Sequence, residues 1–377
     1  MNEILNEVEC CEVTDRLELA VVKRVKSLEP IPNKDRIELV HLEDCGFTFI
    51  CEKGHQVGDL VVYVKYDSVL PKIELFNFMA DFKYRVKAKS FTEKDDDGVV
   101  VKKIYSQGII LPLHLVERFV VSKCASEGFM DIQETASKFI EGSDLTETLG
   151  VTKYIPPVMT GAGSGFGEMR CKGTFPTHIL SKTDETTLAS KTRALEEIRG
   201  KAVYITLKIE GSSGTSYIDD TTGELIVCSR NNMVSETETC KFWIAARKHK
   251  LSEKLFEEPW LALQWELAGP GIEKNKLGLS EPTLFIFNMI AKGDRRRLSW
   301  DEMNDIADIY KLPLVPLVMK IDSFDMSFDD LQYIADYQTY KNGEAAEGIV
   351  IRTCDLMYSN ILKDWWSVKI INRDYKK

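Results

Sequence analysis

The chain has 377 residues, 44% of them apolar, enough to bury a sizeable core and to form two domains. Its formal charge of -10 argues against a nucleic-acid binder held by bulk electrostatics, since phosphate binding draws on a dense Lys/Arg surface, so any polynucleotide must meet local basic patches. Nine scattered cysteines form no Cys-x-x-Cys array, which argues for reduced thiols and against structural zinc, and no apolar run reaches the length of a membrane span.

The acidic start Met1-Asn2-Glu3-Ile4-Leu5-Asn6-Glu7 has no basic segment ahead of a short apolar core, so a soluble, monomeric intracellular protein of the cytoplasm is the default expectation. From Arg16 to about Leu113, short β-type runs are broken by Pro30, Pro32, Gly46, Gly54, Gly58 and Asp95-Asp96-Asp97-Gly98. That rhythm predicts a small β-barrel. Inside it, Lys83-Tyr84-Arg85-Val86-Lys87-Ala88-Lys89 alternates like a strand with one basic face, and Phe82 and Tyr84 offer rings on which bases could stack. Two other basic runs, Arg247-Lys248-His249-Lys250 and Arg295-Arg296-Arg297, read most plainly as solvated surface.

Tyr154-Ile155-Pro156-Pro157, followed by Gly161-Ala162-Gly163-Ser164-Gly165-Phe166-Gly167, reads as a flexible connector, because its glycines fit no phosphate-loop spacing. The expected division is a barrel over 1–125, a connector over 126–173 and a second domain over 174–377. Beyond Thr174 the pattern predicts a helix from Thr186 to Arg199 stopped by Gly200. A second is expected from Glu236 to Lys250, with Ser235 as N-cap and Glu238 completing a capping box, and another after Ser299. Strands at Leu261–Leu267 and Thr283–Ile290 are joined by varied insertions rather than a strand-helix-strand rhythm. The fold class is therefore α+β, with mainly antiparallel sheets flanked by helices.

Chemistry concentrates at one strand end. Val203-Tyr204-Ile205-Thr206-Leu207-Lys208-Ile209 runs into Glu210-Gly211, giving Lys-x-Glu-Gly on a strand, with the acid expected on the face of Lys208 and Gly211 letting backbone approach a phosphate. A lysine near its reference pKa of about 10.4 is neutral only about four times in ten thousand at pH 7, so a nucleophilic lysine must be depressed by its setting. The tetrapeptide alone is weakly specific. Its successors are Ser229-Arg230-Asn231, Gln264-Trp265-Glu266-Leu267-Ala268-Gly269, Phe285-Ile286-Phe287, Glu347-Gly348-Ile349-Val350-Ile351-Arg352 and Ser367-Val368-Lys369-Ile370-Ile371-Asn372.

In that order these segments resemble the collinear motifs of covalent nucleotidyltransferases, the polynucleotide ligases and messenger-RNA capping enzymes. Upstream, Leu28-Glu29-Pro30-Ile31-Pro32-Asn33-Lys34-Asp35-Arg36-Ile37-Glu38, Gly58-Asp59-Leu60-Val61-Val62-Tyr63 and Ser106-Gln107-Gly108-Ile109-Ile110-Leu111-Pro112-Leu113 resemble the ATP-dependent RNA ligases with an N-terminal OB-fold module. The resemblance is weakest from Ser122 to Lys172.

The resemblance implies an OB-fold barrel that binds RNA and an adenylyltransferase domain with the nucleotide between two sheets. It implies Lys208 as the nucleophile that takes AMP from ATP, and Glu210 and Glu347 as carboxylates gripping Mg2+ or Mn2+ through its water shell. Glu266 would contact the ribose, Arg230 would position the ribose or the incoming RNA end, Phe287 would stack on adenine, and Lys369 would contact the phosphates. Lys182-Thr183-Asp184-Glu185 would border the base pocket. The implied partners are RNA ends, a 5'-phosphate and a 3'-hydroxyl, and no membrane. One departure stands out: Ser367 and Ile371 flank Lys369 where the family's last motif has a second lysine. DNA ligase or capping activity is the enzymatic rival, disfavoured because those relatives carry an OB domain after the last motif and this sequence stops at Lys377. A nucleic-acid-binding protein with a lapsed transferase domain is the rival from another class.

Overall fold

The computed structural model describes residues 18–32, 34–94, 100–126, 139–154, 165–182 and 185–375. The acidic start, the Asp95–Gly98 turn, Gly161–Ser164 and Thr183-Asp184 lie outside the described residues. The chain divides into two compact units, Met1–Pro156 and Pro157–Lys377. Among the described residues, no helix is long and apolar enough to cross a membrane.

The first unit is built on β1 (Ala20–Pro30), β2 (Ile37–Leu42), β3 (Thr48–Glu52), β4 (Leu60–Lys65) and β5 (Gly108–Pro112), followed by α1 (Leu113–Ser126). The strands form an antiparallel sheet in the order β3-β2-β1-β4-β5. A bulge between Val25 and Ser27 bends β1, the longest strand, so that it pairs with β4 at one end and β2 at the other. The open edges then approach each other: the Thr48 hydroxyl donates to the Tyr105 carbonyl at 2.6 Å and the Gln107 N–H to the Thr48 carbonyl at 2.9 Å. The result is the nearly closed barrel that the turn spacing predicts. Phe139, Leu145, Leu149 and Val151, from the stretch expected to connect the domains, pack into this unit's core beside Ala20, Val22, Val62 and Val64.

The basic run Lys83–Lys89 is not the strand its alternation predicts. It leaves a 3-10 helix, Glu74–Phe82, through two left-handed residues, Lys83 (φ 53°) and Tyr84 (φ 56°), and then buries Val86. Turn geometry and one apolar anchor override the period-two pattern. The strand of this region starts at Lys89 and pairs as Lys89–Lys94 with Val100–Ser106. Phe82 is exposed with the Lys89 ammonium 4.1 Å over its ring, whereas Tyr84 packs against the core.

The second unit is built on two large sheets, with a two-stranded ribbon of Tyr358–Ser359 and Asp364–Trp365 beside them. The larger joins β6 (Cys171–Thr174), β9 (Ser212–Ile218), β10 (Leu225–Ser229), β11 (Asn232–Val234), β12 (Leu261–Ala268), β13 (Thr283–Ala291) and β14 (Arg296–Arg297). Its order is β6-β11-β10-β9-β12-β13-β14, all antiparallel. The smaller joins β7 (Thr186–Thr187), β8 (Val203–Lys208), β15 (Leu317–Ile321), β16 (Gly348–Thr353) and β17 (Ser367–Ile371), in the order β7-β17-β16-β8-β15.

Apolar alternation fixes the register of both sheets. Along β12, Leu261, Leu263, Trp265 and Leu267 join a core with α2 (Lys241–Lys248) and α3 (Leu251–Glu257), leaving Gln264 and Glu266 on the opposite face. The smaller sheet packs Val203, Ile205, Ile349, Ile351, Val368 and Ile370 against Leu331 and Ala335 of α5 (Phe328–Asp336).

Two helix expectations need correction. Thr186–Arg199 is a short strand plus two 3-10 turns, Leu188–Ser190 and Thr192–Ile198, because Thr186 and Thr187 pair in parallel with Val368 and Lys369 of β17. Glu236–Lys250 becomes helical only at Lys241: the Ser235 N–H donates to the Arg170 carbonyl, and the Thr237 hydroxyl accepts from the Cys240 N–H at 3.1 Å. Left-handed Lys250 (φ 52°) then separates α2 from α3. The expected helix after Ser299 is present as α4 (Trp300–Tyr310), with a capping box between Ser299 and Glu302.

Candidate active site

Strand register lays Lys208 and Lys369 out on one face of the smaller sheet. Lys208 pairs with Gly348 and Gly348 with Ile371; two residues along, Thr206, Val350 and Lys369 form the next row; then Tyr204, Arg352 and Ser367 form a third. Paired residues of antiparallel strands share a face, so Lys208 and Lys369 project to the same side. With strands about 4.8 Å apart and a rise of about 3.4 Å per residue, their Cα atoms lie roughly 12 Å apart, a gap that two long side chains can close around a phosphate.

Lys208 does not stand alone. Its Nζ lies 2.8 Å from Glu347 Oε2, at the start of β16. Burial would push the ammonium down, but Glu347, with Glu266 and Glu185 in support, outweighs burial and holds Lys208 above the ordinary lysine range. Glu266 responds in the opposite sense. Burial pushes its carboxyl up to about 8 against the pull of Lys208, and neighbouring Glu347 and Glu185 raise it further, with a lowering contribution from Arg230. Arg230 itself is exposed at the turn between β10 and β11.

Glu210 lies just past the end of β8 and is buried. Its carboxylate faces away from a direct pairing with Lys208: Oε1 accepts from the Tyr375 hydroxyl at 2.5 Å and Oε2 from the Lys276 N–H at 3.0 Å. The Lys276 ammonium in turn sits 3.5 Å over the Tyr375 ring. Gly211 is required by a neighbouring strand: a Cβ there would lie 2.2 Å from the Leu267 carbonyl oxygen. Gly348 is constrained likewise, with φ +147° and a hypothetical Cβ 2.0 Å from the Ile370 carbonyl oxygen.

At the far end of the face, Arg352 is buried and fully engaged. It pairs with Glu185 at 2.5 Å, donates to Ser367 Oγ at 3.0 Å and donates to the Phe287 carbonyl. Burial would raise Glu185, but Arg352, Arg297 and Lys369 together hold it down at about 2. Ser367, at the position where a second lysine was sought, thus serves as acceptor for a guanidinium delivered from the next strand. Phe287 is half-buried against the cluster of Leu207, Val315 and Ala346, and the Arg352 guanidinium lies 5.9 Å from its ring centroid.

The basic runs outside the barrel are largely committed to their own fold. Arg247 pairs with Glu236, Lys248 with Glu281 and Arg296 with Glu302, while Arg295 donates to the His178 carbonyl. Burial, with lesser contributions from Lys248 and Lys254, drops His249 to about 4.

The RNA ligase family model matches residues 201–365, which hold every motif from Lys208 to Glu347, and an OB-fold domain model matches residues 19–113. The chain carries an RNA ligase domain behind an OB-fold domain. Solved structures of a Naegleria gruberi RNA ligase agree over nearly the whole length. A lysine-to-methionine variant solved with AMP and manganese matches at TM-score 0.76 and 25% identity, covering 95% of this chain and 98% of that one. A glutamate-to-alanine variant with ATP and manganese matches at TM-score 0.75 with the same identity and coverage. The enzyme with pyrophosphate matches at 0.74 and 26% identity over 95% of this chain and 98% of that one. A comparison with curated protein sequences gives no match.

Within the RNA ligase domain, Lys208 and Glu347 are in direct contact, Glu266 and Glu185 lie within their electrostatic reach, and Lys369 acts on Glu185. Glu210 reaches the cluster through main chain rather than through its carboxylate. Among the described residues, no three His, Cys, Asp or Glu side chains converge as a metal cage. Carboxylate oxygens are nonetheless donors that magnesium or manganese takes, and each Glu210 oxygen keeps a second lone pair. Sequence reasoning missed Tyr340, Tyr375 and Lys276, which belong to no recognisable motif. It quoted Arg352 without giving it a role, although a lone arginine ending an apolar strand is a readable sign of a buried partner.

Proposed function

We propose that the protein is an ATP-dependent RNA ligase that works through a lysyl-AMP intermediate. The observation that carries this reading is the half-buried Lys208 at the end of β8, 2.8 Å from Glu347 and on the same sheet face as Lys369.

In the first step the Lys208 nitrogen, once neutral, attacks the α-phosphorus of ATP. A P–N bond forms, the bond to the bridging oxygen breaks, pyrophosphate leaves and the lysine sheds its proton. Lys369 stabilises charge on the phosphoryl oxygens, Phe287 stacks on the adenine, and Glu266 and Arg230 orient the ribose. In the second step an RNA 5'-phosphate oxygen attacks the same phosphorus, the P–N bond breaks and Lys208 recovers a proton. In the third, an RNA 3'-hydroxyl attacks the activated 5'-phosphate, a phosphodiester forms, the hydroxyl proton is lost and AMP leaves.

Glu210 and Glu347 would hold Mg2+ or Mn2+, whose charge neutralises phosphate and favours the free amine of Lys208. The relatives solved with ATP and manganese support ATP and a divalent cation as the cofactors. The first unit, with exposed Phe82 under Lys89, is assigned to gripping RNA on the 3'-hydroxyl side of the break.

The test incubates the protein with α-labelled ATP or GTP and magnesium or manganese, then follows acid-labile label on Lys208 and its passage to 5'-phosphorylated RNA or DNA. Label from ATP that passes to RNA and is absent in Lys208→Ala supports the reading. Label from GTP, transfer to DNA alone, label surviving in Lys208→Ala, or no label at all rejects it.

A further inference from the structure

Three main-chain groups of the site converge on one phenol. The Tyr340 hydroxyl donates to the Lys208 carbonyl at 3.2 Å and accepts from the N–H of Glu210 at 2.9 Å and of Glu347 at 3.3 Å. A phenolic hydroxyl has one proton and two lone pairs, so its capacity is filled by these three bonds. The three residues it joins are the nucleophile and both carboxylates assigned above, drawn from two chain segments more than a hundred residues apart.

Tyr340 is itself held. Its ring is buried with Leu207, Ile209, Ala268 and Ala346. Its N–H donates to the Glu344 carbonyl at 2.8 Å, and its own carbonyl accepts from the Gly343 N–H at 2.9 Å, closing a tight loop. From the same loop, Asn342 Nδ2 donates to the Lys276 carbonyl at 2.7 Å, and the Lys276 N–H reaches Glu210 Oε2. Glu210 is therefore gripped twice by one loop, at its main chain and, through Lys276, at its carboxylate. Pairing between β8 and β16 ends at Lys208 and Gly348, so beyond that row the sheet no longer sets the spacing of Glu210 and Glu347. The Tyr340 hydroxyl takes over where the ladder stops.

We propose that Tyr340 is a positioning residue for nucleotidyl transfer, its hydroxyl fixing the spacing of the Lys208, Glu210 and Glu347 main chains from which the nucleophile and two carboxylates project. This rests on the adenylyltransferase reading above. Misplacement by about 1 Å can cost about a hundredfold in rate, so removing one hydroxyl acts through geometry without touching substrate.

The test compares full-length wild type, Tyr340→Phe and Tyr310→Phe. Tyr310 loses an equivalent phenolic bond, to Glu258, away from the site. Thermal midpoint and single-turnover lysyl-AMP formation are measured across ATP and manganese concentrations. Tyr340→Phe is expected to remain folded, to form lysyl-AMP about ten- to a hundredfold more slowly at saturating ATP and to need several-fold more manganese for half-maximal rate, with its ATP requirement changed less than about threefold. Tyr310→Phe is expected to match wild type. A Tyr340→Phe protein with unchanged rate and manganese requirement beside a labelling wild type overturns the positioning role alone. A Tyr340→Phe protein that fails to fold assigns the hydroxyl to the fold and overturns it as well. A wild type that takes no label overturns the adenylyltransferase reading, and the positioning role falls with it.

Discussion

Lys208 and Glu347 meet at 2.8 Å in a site where both are largely shielded from water, and Glu347 is the chief reason the lysine stays charged despite burial. A charged amine cannot attack phosphorus, so in the proposed lysyl-AMP pathway the carboxylate that steadies Lys208 at rest must yield it in the reaction. If Glu347 also holds the metal, the two duties are linked, because a cation drawing on the carboxylate weakens the pair. Glu347→Gln is then expected to reduce lysyl-AMP formation at least about a hundredfold, or about 2.7 kcal/mol of barrier, even in alkaline buffer. Faster labelling in that variant would make Glu347 a brake only.

Glu266 supplies a pH-dependent signature. Its carboxyl is raised from 4.5 to about 8 by burial and by Glu347 and Glu185, so the folded protein prefers it protonated. The stabilising contribution of the neutral acid is complete below the unfolded value and is lost as pH rises through about 8. Glutamine mimics the neutral form. The thermal midpoint of wild type relative to Glu266→Gln should therefore fall progressively between about pH 4.5 and 8, and a constant gap across that range would contradict the assignment.

Ser367 accepts from a buried guanidinium, so restoring a lysine there should harm the protein. In Ser367→Lys an ammonium would displace the Arg352 bond and stand beside a like charge in a site whose compensating acid, Glu185, is already engaged. The expected loss is about 3 kcal/mol of stability, read by chemical denaturation. A stable Ser367→Lys with faster labelling would show instead that the position is open to phosphate.

Gly211 tests the packing of the loop that follows Lys208. The Leu267 carbonyl oxygen occupies the space a Cβ would need, 2.2 Å away, and backbone cannot swing aside as a side chain can. Gly211→Ala should cost about 2 kcal/mol and move Glu210, lowering label transfer more than stability alone explains. Wild-type labelling in a fully folded variant would argue that the loop tolerates displacement.

The second unit has its own cores, one around Trp265 and one around Ile205, so a protein beginning at residue 157 is expected to label itself with AMP. It should seal RNA ends at least about tenfold more slowly if the first unit grips the 3'-hydroxyl strand. Sealing at full rate by the shortened chain would remove that role.

Much of the candidate site was legible because its residues sit in short local patterns. Lys208 ends an alternating run, so strand geometry alone aims it off a sheet face, and Glu347-Gly348 opens another such run. The basic stretch Lys83–Lys89 shows the limit of that logic: it has the period of a strand, yet two left-handed residues after a 3-10 helix fold it as a turn. Ser235 shows another, since a capping pattern is worth about 1 kcal/mol and is overridden when its N–H finds a partner on Arg170.

Sequence by itself determined the α+β class, the barrel ahead of a second domain, and the order of the candidate residues along the chain, because apolar period and turn chemistry are local. Only the tertiary structure decided who those residues meet. Tyr340 on Lys208 and Glu210, Tyr375 on Glu210, and Arg352 on Glu185 are contacts between distant segments. Such contacts arise when sheet register and loop closure bring particular atoms within hydrogen-bonding distance, a consequence of the whole chain's packing that no window of sequence contains.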